Sequence, residues 1–176
     1  MDDSIPLGQV YAAIEAHIKE AIPSLAYVGT MPEKIEHIRV PGAVIELTGF
    51  EAADKDPGTG EVAVETRFET RIIIGREQAE CLAVAAHCAA QLTVLLRMQH
   101  WGLPVEFAEF IRAERDWTHP QLDSCVVWVV EWSQVIYLGK EEWPWPNQPP
   151  GSLVIGFSPN TGPGSEDAYQ PPEAMG

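Results

Sequence analysis

Basic residues are scarce in this chain, and their scarcity excludes whole classes of function. Its 176 residues carry 11 Lys and Arg against 26 Asp and Glu, a formal charge of −15. Gripping a duplex or an anionic bilayer draws on Lys and Arg to neutralise phosphates. Tight nucleic-acid binding is therefore not expected, although an acidic surface lets a polyanion slide past without sticking. Cysteine is sparse too: Cys81, Cys88 and Cys125 are odd in number and sit in apolar stretches. That pattern predicts buried free thiols in a reducing compartment, not a disulfide framework. The longest uncharged stretch contains His87, Gln91 and Thr93 and falls short of a bilayer span. The start, Met1-Asp2-Asp3-Ser4, is acidic where a secretory leader would be basic. A soluble protein made in the cytoplasm is the expectation.

Catalytic and metal-binding spacings are missing as well. The histidines at 17, 37, 87, 100 and 119 form no ligand spacing with one another, and there is no CxxC, HxH or HExxH. No GxSxG, P-loop or glycine-rich strand-to-helix turn occurs. Ser133, His119 and Asp116 supply the residue types of a hydrolytic triad, but nothing in the sequence brings them together. Asp54 and Asp56 lie in a loop, Glu51 to Glu61, that has no third acid at the next alternate position. With Pro57, Gly58 and Gly60 it reads as an exposed hairpin tip, free to touch a partner. Neither cofactor nor metal is expected, and the chain does not read as an enzyme.

What is present is a clear alternation of faces. Val62, Val64, Thr66, Phe68, Thr70, Ile72 and Ile74 form one side of a long strand, and Ala63, Glu65, Arg67, Glu69, Arg71 and Ile73 the other. The first side suits a core. Glu65, Arg67, Glu69 and Arg71 read either as a solvated face or as cross-strand and intersubunit pairs. A helix is predicted from about Arg76 to Gln99, with Glu77 and Glu80 in its first turn and Arg97 near its last, stopped by Gly102. From Cys81 to Leu96 it carries no charge, more apolar surface than a monomer comfortably exposes. Leu82, Ala86, Ala89, Thr93 and Leu96 make the stripe expected on the sheet; Val84, His87, Cys88, Gln91 and Leu95 make a second, to be covered by the first helix or a neighbouring subunit.

The remaining elements follow from the same periodicities. A first helix is expected from about Pro6, capped by Ser4 and ended by Pro23, with short strands at Leu25 to Val28 and Gly42 to Phe50. Val105 to Arg115 and Cys125 to Leu138 alternate as strands, the latter apolar on both faces near its start and so central, with Trp128 and Trp132 in the core. Together these predict an α+β fold, a mainly antiparallel sheet of four to five strands with two helices on one face, over residues 1–139. Residues 140–176 read as an extended arm, since eight of the fifteen prolines lie there. Leu153 to Phe157 is a candidate strand for an exposed edge. Trp143, Trp145, Phe157 and Tyr169 are aromatic anchors for a groove on a neighbouring subunit.

The amphipathic first helix, the acidic Gly/Pro hairpin tip, the FETRIIIG strand before a long helix and the later VVWVVEWSQVIYLG strand resemble tail terminator proteins of long-tailed bacteriophages. The segment LVIGFSPNTGPGSEDAYQ is similar to the ends of related proteins in transposable, Mu-like phages. The resemblance covers about residues 5 to 170. It implies a hexameric ring that caps the tail tube, stops its polymerisation and meets the head-side connector, in the virion after assembly in the host cytoplasm. It also implies partners: neighbouring copies, tail tube protein and connector protein, with the genome passing through the lumen. On that reading Glu65, Arg67, Glu69 and Arg71 belong to an intersubunit or lumen surface, and Asp54, Lys55, Asp56 and Glu61 to a loop that contacts tube or connector. Another neck ring component, such as a head-completion or connector protein, is the nearest alternative, and a small cytoplasmic enzyme or acidic binding module a more distant one.

Overall fold

The computed structural model describes residues 7–32, 38–116, 122–140, 159, 161, 164 and 166–170. Two units divide the chain, Met1–Glu142 and Trp143–Gly176. In the first, helix α1 (Leu7–Ala21) precedes strands β1 (Tyr27–Thr30), β2 (Gly42–Ala52) and β3 (Val62–Gly75), then helix α2 (Cys81–Leu95) and strands β4 (Glu109–Arg115) and β5 (Cys125–Leu138). The sheet runs β1-β2-β3-β5-β4; β1 pairs parallel with β2 and every other pairing is antiparallel. This is the α+β architecture the alternation predicts. The long strand β5 lies between β3 and β4, as its two apolar faces require. In the second unit the described residues include one short 3-10 turn, Glu166–Ala168.

Both helices cover one face of the sheet. Val10, Ile14 and Ile18 of α1 meet Ala85, Cys88, Ala89 and Leu92 of α2 over Phe68, Ile72, Ile74, Val130 and Trp132 of the strands. Phe68 stacks on Trp132 with ring centroids 5.4 Å apart, and Tyr11 meets Phe68 edge-on at 6.0 Å. The Tyr11 hydroxyl then accepts a hydrogen bond from the Leu47 backbone N–H at 2.9 Å, fixing α1 to β2. The Phe68 face of β3 is buried throughout except Val62, which is 61% exposed.

Three expectations shift. Helix α2 begins at Cys81, because Gly75 to Glu80 turn the chain off β3 and Glu80 takes a left-handed conformation with φ 54°. Glu77 and Glu80 are thus outside its first turn, and Arg97 and Gln99 lie past its end. Its buried stripe is Ala85, Cys88, Ala89, Leu92 and Leu96; Leu82 is 55% exposed and Cys88 moves into the core. A helix seen only as uncharged has no polar side to set its rotation, so one residue of error reassigns both stripes. Strand β4 starts at Glu109, and a bulge at Ile111 breaks its alternation: Glu109 opposes Ser133, whereas Arg112 opposes Glu131.

Candidate assembly surfaces

The face of the sheet away from the helices carries a small apolar cluster, Val44, Ile73 and Val127, and next to it a lattice of charge. Register sets Glu46, Glu69 and Glu131 side by side across β2, β3 and β5, with Arg112 of β4 next in the row. Like charges directly opposite one another repel, so this row needs cations above and below it. Arg71 supplies one. Its guanidinium, 13% exposed, meets Glu46 at 2.6 Å, Glu69 at 2.8 Å and Asp116 at 3.4 Å. Arg112 supplies another, its Nε donating to Glu131 at 2.5 Å, and Arg67 approaches the other Glu131 oxygen at 3.5 Å. The Glu131 hydrogen bond pushes the Arg112 guanidinium pKa up, so its charge is held firmly. Glu131 is only 5% exposed, so two arginines balance a carboxylate that would otherwise be buried alone.

Beside this lattice opens a concavity of about 400 Å³, lined by β2, β3, β4 and β5. Glu51 and Glu65 stand directly opposite each other at its end. Among the described residues no cation pairs with either. Ser133, nearly buried, lines the same space.

Of the four residues assigned to this face from sequence, Glu69 and Arg71 form one bonded unit, Arg67 joins Glu131, and Glu65 turns to the concavity. Glu46, Arg112, Asp116, Glu131 and Ser133 escaped that reading. Glu131 and Ser133 were legible: on β5 they share a face with Val127 and Val129, and two adjacent polar residues on an apolar face announce a polar partner strand.

Helix α2 presents the opposite kind of surface. Ala83, His87, Ala90 and Val94 fall at helical spacing on its outer side, with Val94 75% exposed. A groove of about 460 Å³ runs there between Ala21 of α1 and His87, Ala90, Gln91, Val94 and Leu95. His87 has no described hydrogen-bond partner and stands exposed on this side.

The hairpin tip is less free than its composition implies. Asp54, Lys55 and Asp56 are exposed and Glu61 is half-buried, but the Lys55 ammonium pairs with Glu106 at 3.2 Å. The Tyr137 hydroxyl donates to the same carboxylate at 2.6 Å. That hydrogen bond, with Lys55 second, lowers the Glu106 pKa. Asp56 accepts from the Gly58 backbone N–H at 2.9 Å, and the Thr59 hydroxyl donates to Glu61 at 2.8 Å, which are turn contacts. Trp143, Trp145, Phe157 and the strand at Leu153 lie outside the described residues, as do Ser4, Pro6 and His119; Tyr169 is half-buried. Among the described residues no group of three or more His, Cys, Asp or Glu could hold a metal ion, and no helix is long and apolar enough to cross a membrane. Compared with known protein families and with curated proteins, the chain matches no family model and no curated sequence.

Proposed function

We propose that this chain is a ring-forming structural protein that terminates a phage tail. The observation that carries the reading is the pair of unlike surfaces on opposite layers of one small domain. An uncharged stripe on α2, with Val94 at its most exposed point, lies on one layer, and an ordered charge lattice around Arg71 and Glu131 on the other. A closed ring is built from heterologous contacts, in which each copy offers two different patches to its two neighbours. Two unlike patches on one domain supply the separate surfaces that such contacts use. The charge of −15 fits a lumen through which a genome moves without adhering. The resemblance of the β3 and β5 sequences to those of tail terminators supports a position for the ring between the last tube ring and the connector.

Native mass spectrometry at micromolar concentration tests the ring: a closed oligomer is expected, and a strict monomer both alone and with tube protein overturns it. Mixing with polymerising tube protein tests the place. A terminator arrests tube growth, whereas another neck component leaves tube length unchanged.

A further inference from the structure

The concavity on the outer sheet face holds four carboxylates, Glu51, Glu65, Glu69 and Glu131, against two guanidiniums, Arg67 and Arg112. The arginines are committed. Both approach Glu131, and Glu69 is bound by Arg71. Glu51 and Glu65 are left over, on neighbouring strands at directly opposed register positions, an arrangement that repels in an isolated chain. A second, independent observation lies beside them. Ser133, 7% exposed, lines this space and a second, smaller one, and its hydroxyl makes no hydrogen bond among the described residues. Its oxygen is not among the sealed, unpartnered atoms of the interior, so a donor entering the concavity can reach it.

We infer that this concavity receives an arginine side chain presented by a neighbouring protein chain, with Glu51 and Glu65 sharing the guanidinium and Ser133 accepting one of its N–H groups. Two carboxylates on adjacent strands with Cβ atoms about 5 Å apart suit a planar fork with five donors better than a point-like ammonium. A guanidinium fits better than a free divalent ion, because Arg67 lines the same space and repels a single charge spread over a fork less than a compact double charge. The inference rests on reading this face as an assembly surface, and gives that surface the chemistry of its partner.

The test is an NMR titration of the labelled chain with the peptide acetyl-Gly-Arg-Gly-Arg-Gly-amide, run on the native protein and on Val94→Glu, whose sheet face is unaltered and which a ring neighbour cannot occlude. Saturable shifts are expected at the amides of Gly49, Glu65, Arg67 and Ser133. Affinity should fall at least tenfold in the Glu51→Gln/Glu65→Gln double variant and stay unchanged in Glu15→Gln, which alters a distant acid. The lysine counterpart of the peptide should bind at least threefold more weakly. Shifts spread evenly over the acidic surface, equal binding by the double variant, or equal binding by the lysine peptide, spermidine or magnesium chloride would each overturn the assignment. Peptide capture by a chain that never forms a ring would leave this inference standing and remove the ring. A ring whose Val94→Glu monomer ignores the peptide would do the reverse.

Discussion

Trp101 donates its indole N–H to Oε1 of Gln134 across 2.7 Å, joining the loop after α2 to the central strand β5 with both side chains buried. Gln134 in turn donates from Nε2 to the Glu106 carbonyl at 2.7 Å and the Gln99 carbonyl at 3.3 Å. The connection from α2 to β4 needs such a clamp. Met98, Trp101 and Gly102 all have positive φ there, a conformation that costs a non-glycine residue roughly 1 to 3 kcal/mol. Trp101→Phe keeps a six-membered ring in the core but removes the pyrrole ring and leaves a buried amide oxygen without its donor, so it should lower unfolding stability by at least about 1 to 3 kcal/mol. Urea denaturation of the variant measures it; a change under 0.5 kcal/mol would mean the loop holds its shape by other contacts.

Arg71 joins three carboxylates, from β2, β3 and the turn after β4, and its removal leaves them facing one another. Arg71→Met should therefore cost about 3 kcal/mol, the scale of removing one partner from a buried ion pair. Arg71→Lys should fall between, because an ammonium cannot span Glu46, Glu69 and Asp116 with the geometry of a fork. Thermal unfolding of the two variants checks the order. A methionine variant as stable as the native chain would show that the lattice contributes no net stability.

Arg71 also marks where the sequence ceases to be readable. The element types and β5 itself, Cys125–Leu138, follow from uninterrupted alternation, which a single strand displays by itself. Partners do not. Glu46 and Asp116 lie 25 and 45 residues away, and only the register of β2 on β3 and the turn after β4 bring them to Arg71. The bulge at Ile111 likewise belongs to the pairing with β5 and leaves no mark in the EFIRAER segment. The start of α2 is not legible either, because Glu77 and Glu80 suit a first turn electrostatically, while tertiary geometry puts Glu80 in a left-handed conformation. Composition revealed that α2 has surface to spare, and not which side of it is spare.

That spare side gives the sharpest separation between folding and assembly. Val94 is three-quarters exposed, so Val94→Glu should change the stability of the isolated chain by no more than about 0.5 kcal/mol. The same substitution places a charge in an interface core and should shift the oligomer to monomer in native mass spectrometry. Ala89→Glu, on the buried side, should instead prevent folding. Oligomer that survives Val94→Glu would exclude this face from the seam.

Cys88 and Cys125 should separate by reactivity. Burial raises the Cys88 thiol pKa, partly offset by a hydrogen bond from Ser24, and the thiolate is the reactive form. Iodoacetamide at pH 8 should label half-buried Cys81 and Cys125 in the native chain and spare Cys88 until denaturant is added. Peptide mass mapping reads the result, and early labelling of Cys88 would mean that α2 opens readily from the core.

The contact among Lys55, Glu106 and Tyr137 should hold the hairpin tip only within a window of pH. Glu106 has a folded pKa lowered first by the Tyr137 hydrogen bond and then by Lys55, so its contribution is present above the ordinary carboxylate pKa and is lost as pH falls through the lowered one. Tyr137 has a pKa raised first by the same hydrogen bond, so its contribution is present below the ordinary phenol pKa and is lost as pH rises through the raised one. The contact therefore fails at both extremes and holds between them. Tyr137→Phe should return the Glu106 carboxyl toward its ordinary value, and by more than Lys55→Met does, since the phenol is the larger cause. Carboxyl carbon NMR titration of the three proteins gives the order directly. A larger shift from Lys55→Met would make the ion pair, and not the phenol, the main restraint on the tip; because that pair is half exposed, the restraint should then weaken steeply with added salt.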